Sequence, residues 1–184
     1  LGDVYKRQTQ PYPVKPPPLI RHDFPLEEAF SFWGIDGGCK EIVANLHYEG
    51  AYTPPKVGKK TLMYPGNSGG SNWGGIAVDT DKQILVANVM DRAWVVSLVP
   101  RAEIDSLRKV SPGHIEFAHQ AGTPYGMTRE MLLSSLGVPC NPLPWGTLAA
   151  VDLKEGTILW QEPLGTIRDV SPIPLKAKSV SYTH

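Results

Sequence analysis

Cysteine, long apolar runs and an excess of either charge are what this sequence has least of. Only Cys39 and Cys140 occur in 184 residues, far apart and without C-x-x-C spacing, which disfavours a zinc or thioredoxin-like site. They are either a buried free pair or one disulfide, the bridge becoming plausible if the protein is exported. No apolar stretch approaches the roughly 20 residues of a membrane span, and the first residues lack the apolar core of a secretory signal. Lysine plus arginine and aspartate plus glutamate both total 18, so no field gathers nucleic acid or an anionic membrane surface. A start methionine is also missing, and a piece of a longer protein is the expectation.

Proline and glycine, 18 of each, exceed average usage but stay below the roughly 25% combined level of disordered chains, which favours a loop-rich β protein. Residues 9–22, "TQPYPVKPPPLIRH", predict an extended connector laid over a surface, because each proline removes an amide donor and restrains the residue before it. Two short helices are expected next, one after Asp23 at "PLEEAF" and one after Asp36, where Ile35, Cys39, Ile42, Val43 and Leu46 fall near helical spacing. Residues 9–60 therefore read as a proline-rich connector with short helices, and "YEGAYTPP" returns the chain to extended structure.

From Thr61 the pattern changes to short β-rich runs between turns: 61–64, 74–79, 83–88, 93–100, 146–152 and 157–163. Between the two groups lies an insertion, 101–145, with a helix expected near "TREMLLSSL". "GGIAVDTDKQILVAN" and "GTLAAVDLKEGTILWQ" share a plan: an apolar strand ending in Val-Asp, a polar turn and a second apolar strand. Repeated hairpins of this kind are the signature of a propeller or related array, whose units cannot bury their faces alone. In the second copy Ala150, Asp152, Gly156 and Trp160 match A-x-D-x-x-x-G-x-x-x-W, where aspartate and glycine suit the turn and the tryptophan is an apolar plug for a neighbouring blade.

"GNSGG" at 66–70 matches the G-x-S-x-G pattern that presents a nucleophilic serine. A hydrolase elbow needs a helix directly after the serine, and Ser68 is followed by Gly69-Gly70-Ser71-Asn72-Trp73-Gly74-Gly75, a poor helix start. A trypsin-like reading would need histidine and aspartate partners upstream on two barrels, which 67 proline-rich residues cannot build. Ser68 is not read as a nucleophile. His22, His47, His114 and His119 lack metal-type spacing.

In order and spacing, "YEGAYTPP", "PGNSGGSNWGGIAVD", "VPR", "GTPYG", "LGVPCNPLPWGTLAAVDL" and "GTIRDVSPIPL" resemble the C-terminal part of pyrroloquinoline quinone (PQQ)-dependent dehydrogenases of the membrane-bound glucose, quinate and polyol type. The resemblance covers about Gln10 to about Lys176; residues 1–8 and 177–184 do not continue it and read as non-native ends. It implies an all-β fold, part of an eight-bladed β-propeller of the quinoprotein alcohol dehydrogenase type. Two to three blades would occupy residues 61–176, with short helices in the 101–145 insertion. It also implies PQQ held in a central funnel, with Ca2+ or Mg2+ polarising the quinone. A carboxylate base takes the proton of a sugar, polyol or cyclic hydroxy acid as hydride passes to PQQ, and the electrons go on to ubiquinone.

By motif position Trp73, Asn88 and, more weakly, Asn72 resemble the residues that approach PQQ; an amide can donate to a quinone carbonyl and a tryptophan offers ring contact. Tyr125 and Trp145 are candidates for shaping substrate access, with ordinary packing the alternative. The catalytic base and metal ligands are expected upstream, so no catalytic or metal residue is assigned among these residues. A periplasmic parent attached to the inner membrane is implied, with no nucleic-acid partner. The competing class is a non-enzymatic propeller scaffold of the outer-membrane assembly lipoprotein type, which carries the same repeat.

Overall fold

A computed structural model describes residues 14–31, 37–68, 70–71 and 74–165. Its strands are β1 Thr61–Met63, β2 Ile76–Asp79, β3 Ile84–Met90, β4 Trp94–Pro100, β5 Glu116–Ala118, β6 Tyr125–Met131, β7 Gly146–Asp152 and β8 Thr157–Pro163. They form two four-stranded antiparallel sheets, ordered β1-β4-β6-β5 and β2-β3-β7-β8. Among the described residues, helix is confined to α1 Cys39–Ala44, α2 Ile104–Val110 and 3-10 turns at Leu26–Glu28 and Arg101–Glu103. The all-β class read from the sequence is the class observed, and two antiparallel sheets agree with part of a propeller.

The two look-alike hairpins, β2–β3 and β7–β8, close in the same way. Asp79 Oδ1 accepts the amides of Asp81 and Lys82 at 3.1 and 3.0 Å, and Asp152 Oδ1 accepts those of Lys154 and Glu155 at 2.7 and 3.1 Å. Each turn then passes through a left-handed residue, Gln83 at φ 57° and Gly156 at φ 65°. The hairpins are not separate units, however. β3 pairs with β7 from Ile84 opposite Asp152 to Met90 opposite Gly146, so the repeat is internal to one sheet. The reason is edge chemistry: joined, the two hairpins satisfy the ladder groups each leaves open, and Ala87, Val89, Ala149 and Val151 are buried on one face of the joined sheet.

The stretch read as an insertion supplies half of the other sheet. Residues 125–131 are strand β6 rather than the helix expected around 128–136, because they pair with β4 along its whole length, from Pro100 opposite Tyr125 to Trp94 opposite Met131. The helix of this region lies earlier, at α2, with Asp105 in its first turn and Arg108 and Lys109 in its last, an arrangement its dipole favours. Near the N-terminus the helix expected after Asp23 is only the turn Leu26–Glu28, preceded by Pro25. The second expected helix is α1, entered through left-handed Gly38; Ile35 and Asp36 lie outside the described residues.

α1 is held to the far end of the 101–145 stretch by a Cys39–Cys140 disulfide, which settles the alternatives left open by the sequence. Both cysteines are fully buried, in a core with Phe24, Leu62, Tyr64 and Val95. The proline-rich connector runs across the β2-β3-β7-β8 sheet: Gln161 Nε2 donates to the Leu19 carbonyl at 2.9 Å and Lys15 Nζ to that of Glu155 at 3.3 Å. Apolar side chains remain exposed on the outer strands of that sheet, Ile76 and Val78 on β2, Leu159 and Trp160 on β8. Those are the strands that lack a covering neighbour among the described residues.

Candidate functional site

The glycine-rich loop between β1 and β2 is strapped at several points to the end of β3 and to the link that follows it. The Gly66 amide donates to the Arg92 carbonyl at 2.9 Å, and a side chain at Gly66 would run into that carbonyl and the Trp94 ring. Gly70, at φ 70°, exchanges both backbone hydrogen bonds with Met90, at 2.8 and 3.0 Å. Only glycine adopts that backbone readily, so the composition of the loop follows from its close approach to β3.

Ser68 sits in this loop with its Oγ accepting a 2.7 Å hydrogen bond from Trp94 Nε1. Arg129 stacks on the same indole, 4.5 Å from the ring centre, and reaches Asn67 Oδ1 at 2.9 Å. The serine hydroxyl therefore anchors a tryptophan, and the next described residue, Gly70, stands in a β-bridge.

Asn88 lies on β3 opposite Leu148. Its amide rests against Gly74, where a Cβ would stand 2.6 Å from Asn88 Nδ2. Asn88 Oδ1 is buried and has no hydrogen-bond partner among the described residues. The loop and this amide are thus brought together, while Asn72 and Trp73 lie outside the described residues. Tyr125 begins β6 on the other sheet and is half-exposed. Trp145 is fully buried: it packs on Phe30 at 5.2 Å and donates to the Asn141 carbonyl at 2.7 Å, so it fills a core rather than lining an opening.

Asp91, in the link from β3 to β4, was not singled out from the sequence. Its carboxylate is buried and accepts from Tyr64 Oη at 3.0 Å and Arg21 Nη1 at 3.3 Å through Oδ2. Its amide donates to the Trp145 carbonyl and its own carbonyl accepts from Asn141 Nδ2. Burial pushes the Asp91 carboxyl above the usual range, against the pull of Tyr64 and Arg21, and burial, then the nearby Asp91 charge, raises Tyr64. The charged pair Asp91-Arg92 between the apolar runs "ILVANVM" and "AWVV" was the available signal. Two exposed histidines stand beside carboxylates, His119 with Asp105 at 3.1 Å and His114 with Glu130 at 3.9 Å. Among the described residues no group of three His, Cys, Asp or Glu could hold a metal, and no helix is long and apolar enough to cross a membrane.

Residues 2–183 match the family described as the glucose/ethanol/alcohol dehydrogenase (PQQ) beta-propeller domain. The chain belongs to this PQQ dehydrogenase propeller family. Among curated members, the quinoprotein glucose dehydrogenase of Escherichia coli (strain K12) is 36% identical over 141 residues, 74% of this chain and 18% of that protein. The quinate/shikimate dehydrogenase (quinone) of Acinetobacter baylyi is 32% identical over 184 residues, 95% of this chain and 22% of that protein. The glycerol dehydrogenase large subunit of Gluconobacter thailandicus is 34% identical over 177 residues, 89% and 24% respectively. The chain spans about a fifth of the length of these PQQ-family relatives. No solved structure matches it significantly. The family is one of oxidoreductases, the first of the two classes left open above.

Proposed function

We propose that these residues are part of a PQQ-dependent dehydrogenase that oxidises a sugar, a polyol or a cyclic hydroxy acid and passes the electrons to ubiquinone, in a periplasmic parent attached to the inner membrane. The observation that carries this reading is the Asn88 amide: a buried acceptor without a partner among the described residues, packed against a glycine where no side chain fits, in a chain of this family. A buried acceptor without a partner among the described residues fits a ligand bearing hydrogen-bond donors.

When bound, PQQ supplies a two-electron acceptor for an alcohol carbon. Asn88 would hold and orient it, with Asn72 and Trp73 of the same loop as its expected companions. The Gly70–Met90 bridge fixes Gly70 of that loop against β3 two residues beyond Asn88. The proton-abstracting carboxylate and the ligands of Ca2+ or Mg2+ belong to residues outside this chain. Asp79 and Asp152 are engaged in hairpin turns and are unsuited to those tasks. Tyr125 remains a candidate for contact with substrate.

The test is to express the longest reading frame that carries these residues, load it with PQQ and calcium, and follow dye reduction with glucose, glycerol and quinate. Activity with at least one class is expected in the intact protein and none in the 184-residue chain alone. An intact protein inert toward all three would overturn the proposal.

A further inference from the structure

We propose that the cleft beneath the proline-rich connector is a binding site for a small neutral polyhydroxylated molecule, a polyol or a monosaccharide. The cleft measures about 390 Å³, within the range of small-molecule pockets. It lies on the other face of the sheet from Asn88. Asn88 and Leu148 face each other in register, so Thr147, one residue earlier, projects to the opposite side together with Gln161, two residues from Pro163. Thr147, Gln161, Arg21 and Asp91 all line the cleft.

Hydrogen-bonding capacity there is mixed and incompletely used. Gln161 spends Nε2 on the Leu19 carbonyl and the Thr147 hydroxyl, both at 2.9 Å, which among the described residues leaves its Oε1 to accept and the Thr147 proton to donate. Arg21 gives one N–H to Asp91 and one to the Leu143 carbonyl at 3.0 Å, and has others to offer. At the inner wall Asp91 Oδ1 is buried without a partner among the described residues. The side chain bearing it is more than nine-tenths buried.

Donors and acceptors interleaved over a few ångströms suit groups that do both, which is the property of a hydroxyl. Charge narrows the class further. One guanidinium and one carboxylate already neutralise each other, so an anion would meet Asp91 and a cation Arg21, while a neutral ligand meets neither penalty. The ring faces of Pro18, Pro144 and Pro163 provide apolar walls for the C–H side of a polyol. The inference rests on no cofactor, and its failure leaves the PQQ reading untouched.

The experiment is calorimetric titration of glycerol and of glucose into the longest polypeptide carrying this chain, without PQQ. Saturable binding is expected, weakened about tenfold or more by Thr147→Val, which keeps shape and removes the hydroxyl, and unchanged by Glu162→Gln on the opposite face. Binding that ignores Thr147→Val, or no saturable binding of either probe, overturns the proposal. The unmodified protein provides a second measurement if the variant fails to fold. Amide exchange at residues 19–21 and 161–162 slows when either probe fills the cleft, and unchanged rates at saturating probe overturn the proposal equally.

Discussion

Placing alanine at Gly74 separates a cofactor contact from ordinary packing. The Gly74 backbone lies outside the left-handed region, so alanine is conformationally allowed there. Its Cβ would stand 2.6 Å from Asn88 Nδ2, 3.2 Å from Cγ and 3.3 Å from Cβ. What it meets is the end of a rotatable side chain, which gives way by turning, at about 0.5–1.5 kcal/mol. An amide so turned loses its hydrogen bond to a ligand, about 0.5–1.5 kcal/mol if the partner is neutral and about 1.5–3 if it carries charge.

The expected outcome for Gly74→Ala in the intact protein is thus a stability change of about 1 kcal/mol, with PQQ binding weakened about 2.3-fold to about 160-fold. Gly66→Ala is the contrasting control. Its Cβ would meet a backbone carbonyl and the Trp94 ring, neither of which can swing aside, and overpacking of this kind costs about 1–3 kcal/mol. Fluorescence titration with PQQ and thermal melts on the same preparations read both quantities. PQQ affinity within about twofold of wild type in Gly74→Ala would refute the reasoning, since displacement of Asn88 would then have no consequence for the cofactor.

Three further outcomes follow from the packing. The disulfide spans 101 residues of sequence, so the Cys39→Ala, Cys140→Ala double variant should lose about 4–5 kcal/mol on the chain-entropy scale; urea midpoints that shift by less than about 1 kcal/mol would contradict it. Because the Asp91 pKa is raised on folding, its contribution to stability is complete below the unfolded value of 3.8 and is lost as pH rises through the folded one. Stability measured relative to Asp91→Asn should therefore fall with rising pH above 3.8, and a flat difference would exclude the assignment. Ser68→Ala removes the acceptor of Trp94 Nε1 and should cost about 1–3 kcal/mol, while a fluorophosphonate leaves Ser68 unlabelled in the wild type.

Much of the architecture was legible in local pattern. The apolar runs at 76–79, 84–90, 94–100, 146–152 and 157–163 are strands, and the aspartates ending two of them close turns by accepting amides. Pairing between distant segments was not legible. Met127, Arg129 and Met131 alternate as a strand should, but a run of Arg, Glu, Met and Leu carries strong helix propensity, and only β4 alongside decides for the strand. β3 with β7 is a similar case: each hairpin shows in its own residues, while their union depends on a partner nearly sixty positions away. At the proposed site, Asn88 was singled out only through its motif, and the structure adds its close approach to Gly74. Asp91 was not singled out, because its importance arises from Arg21 and Tyr64, which approach from two other parts of the chain. Trp145 shows the reverse, an aromatic in a conspicuous motif whose surroundings are simply core.

Met90 and Gly146 stand opposite one another, so the polypeptide departs from the β2-β3-β7-β8 sheet and rejoins it at a single point on its border. The intervening residues leave from that border and are anchored again by β1 and by Cys39, so lengthening or shortening the loops among them leaves the rungs of the ladder undisturbed. Such a junction gives evolution, or an engineer, a place to vary the loops that lie between β4 and β7 while β3 keeps its alignment with β7.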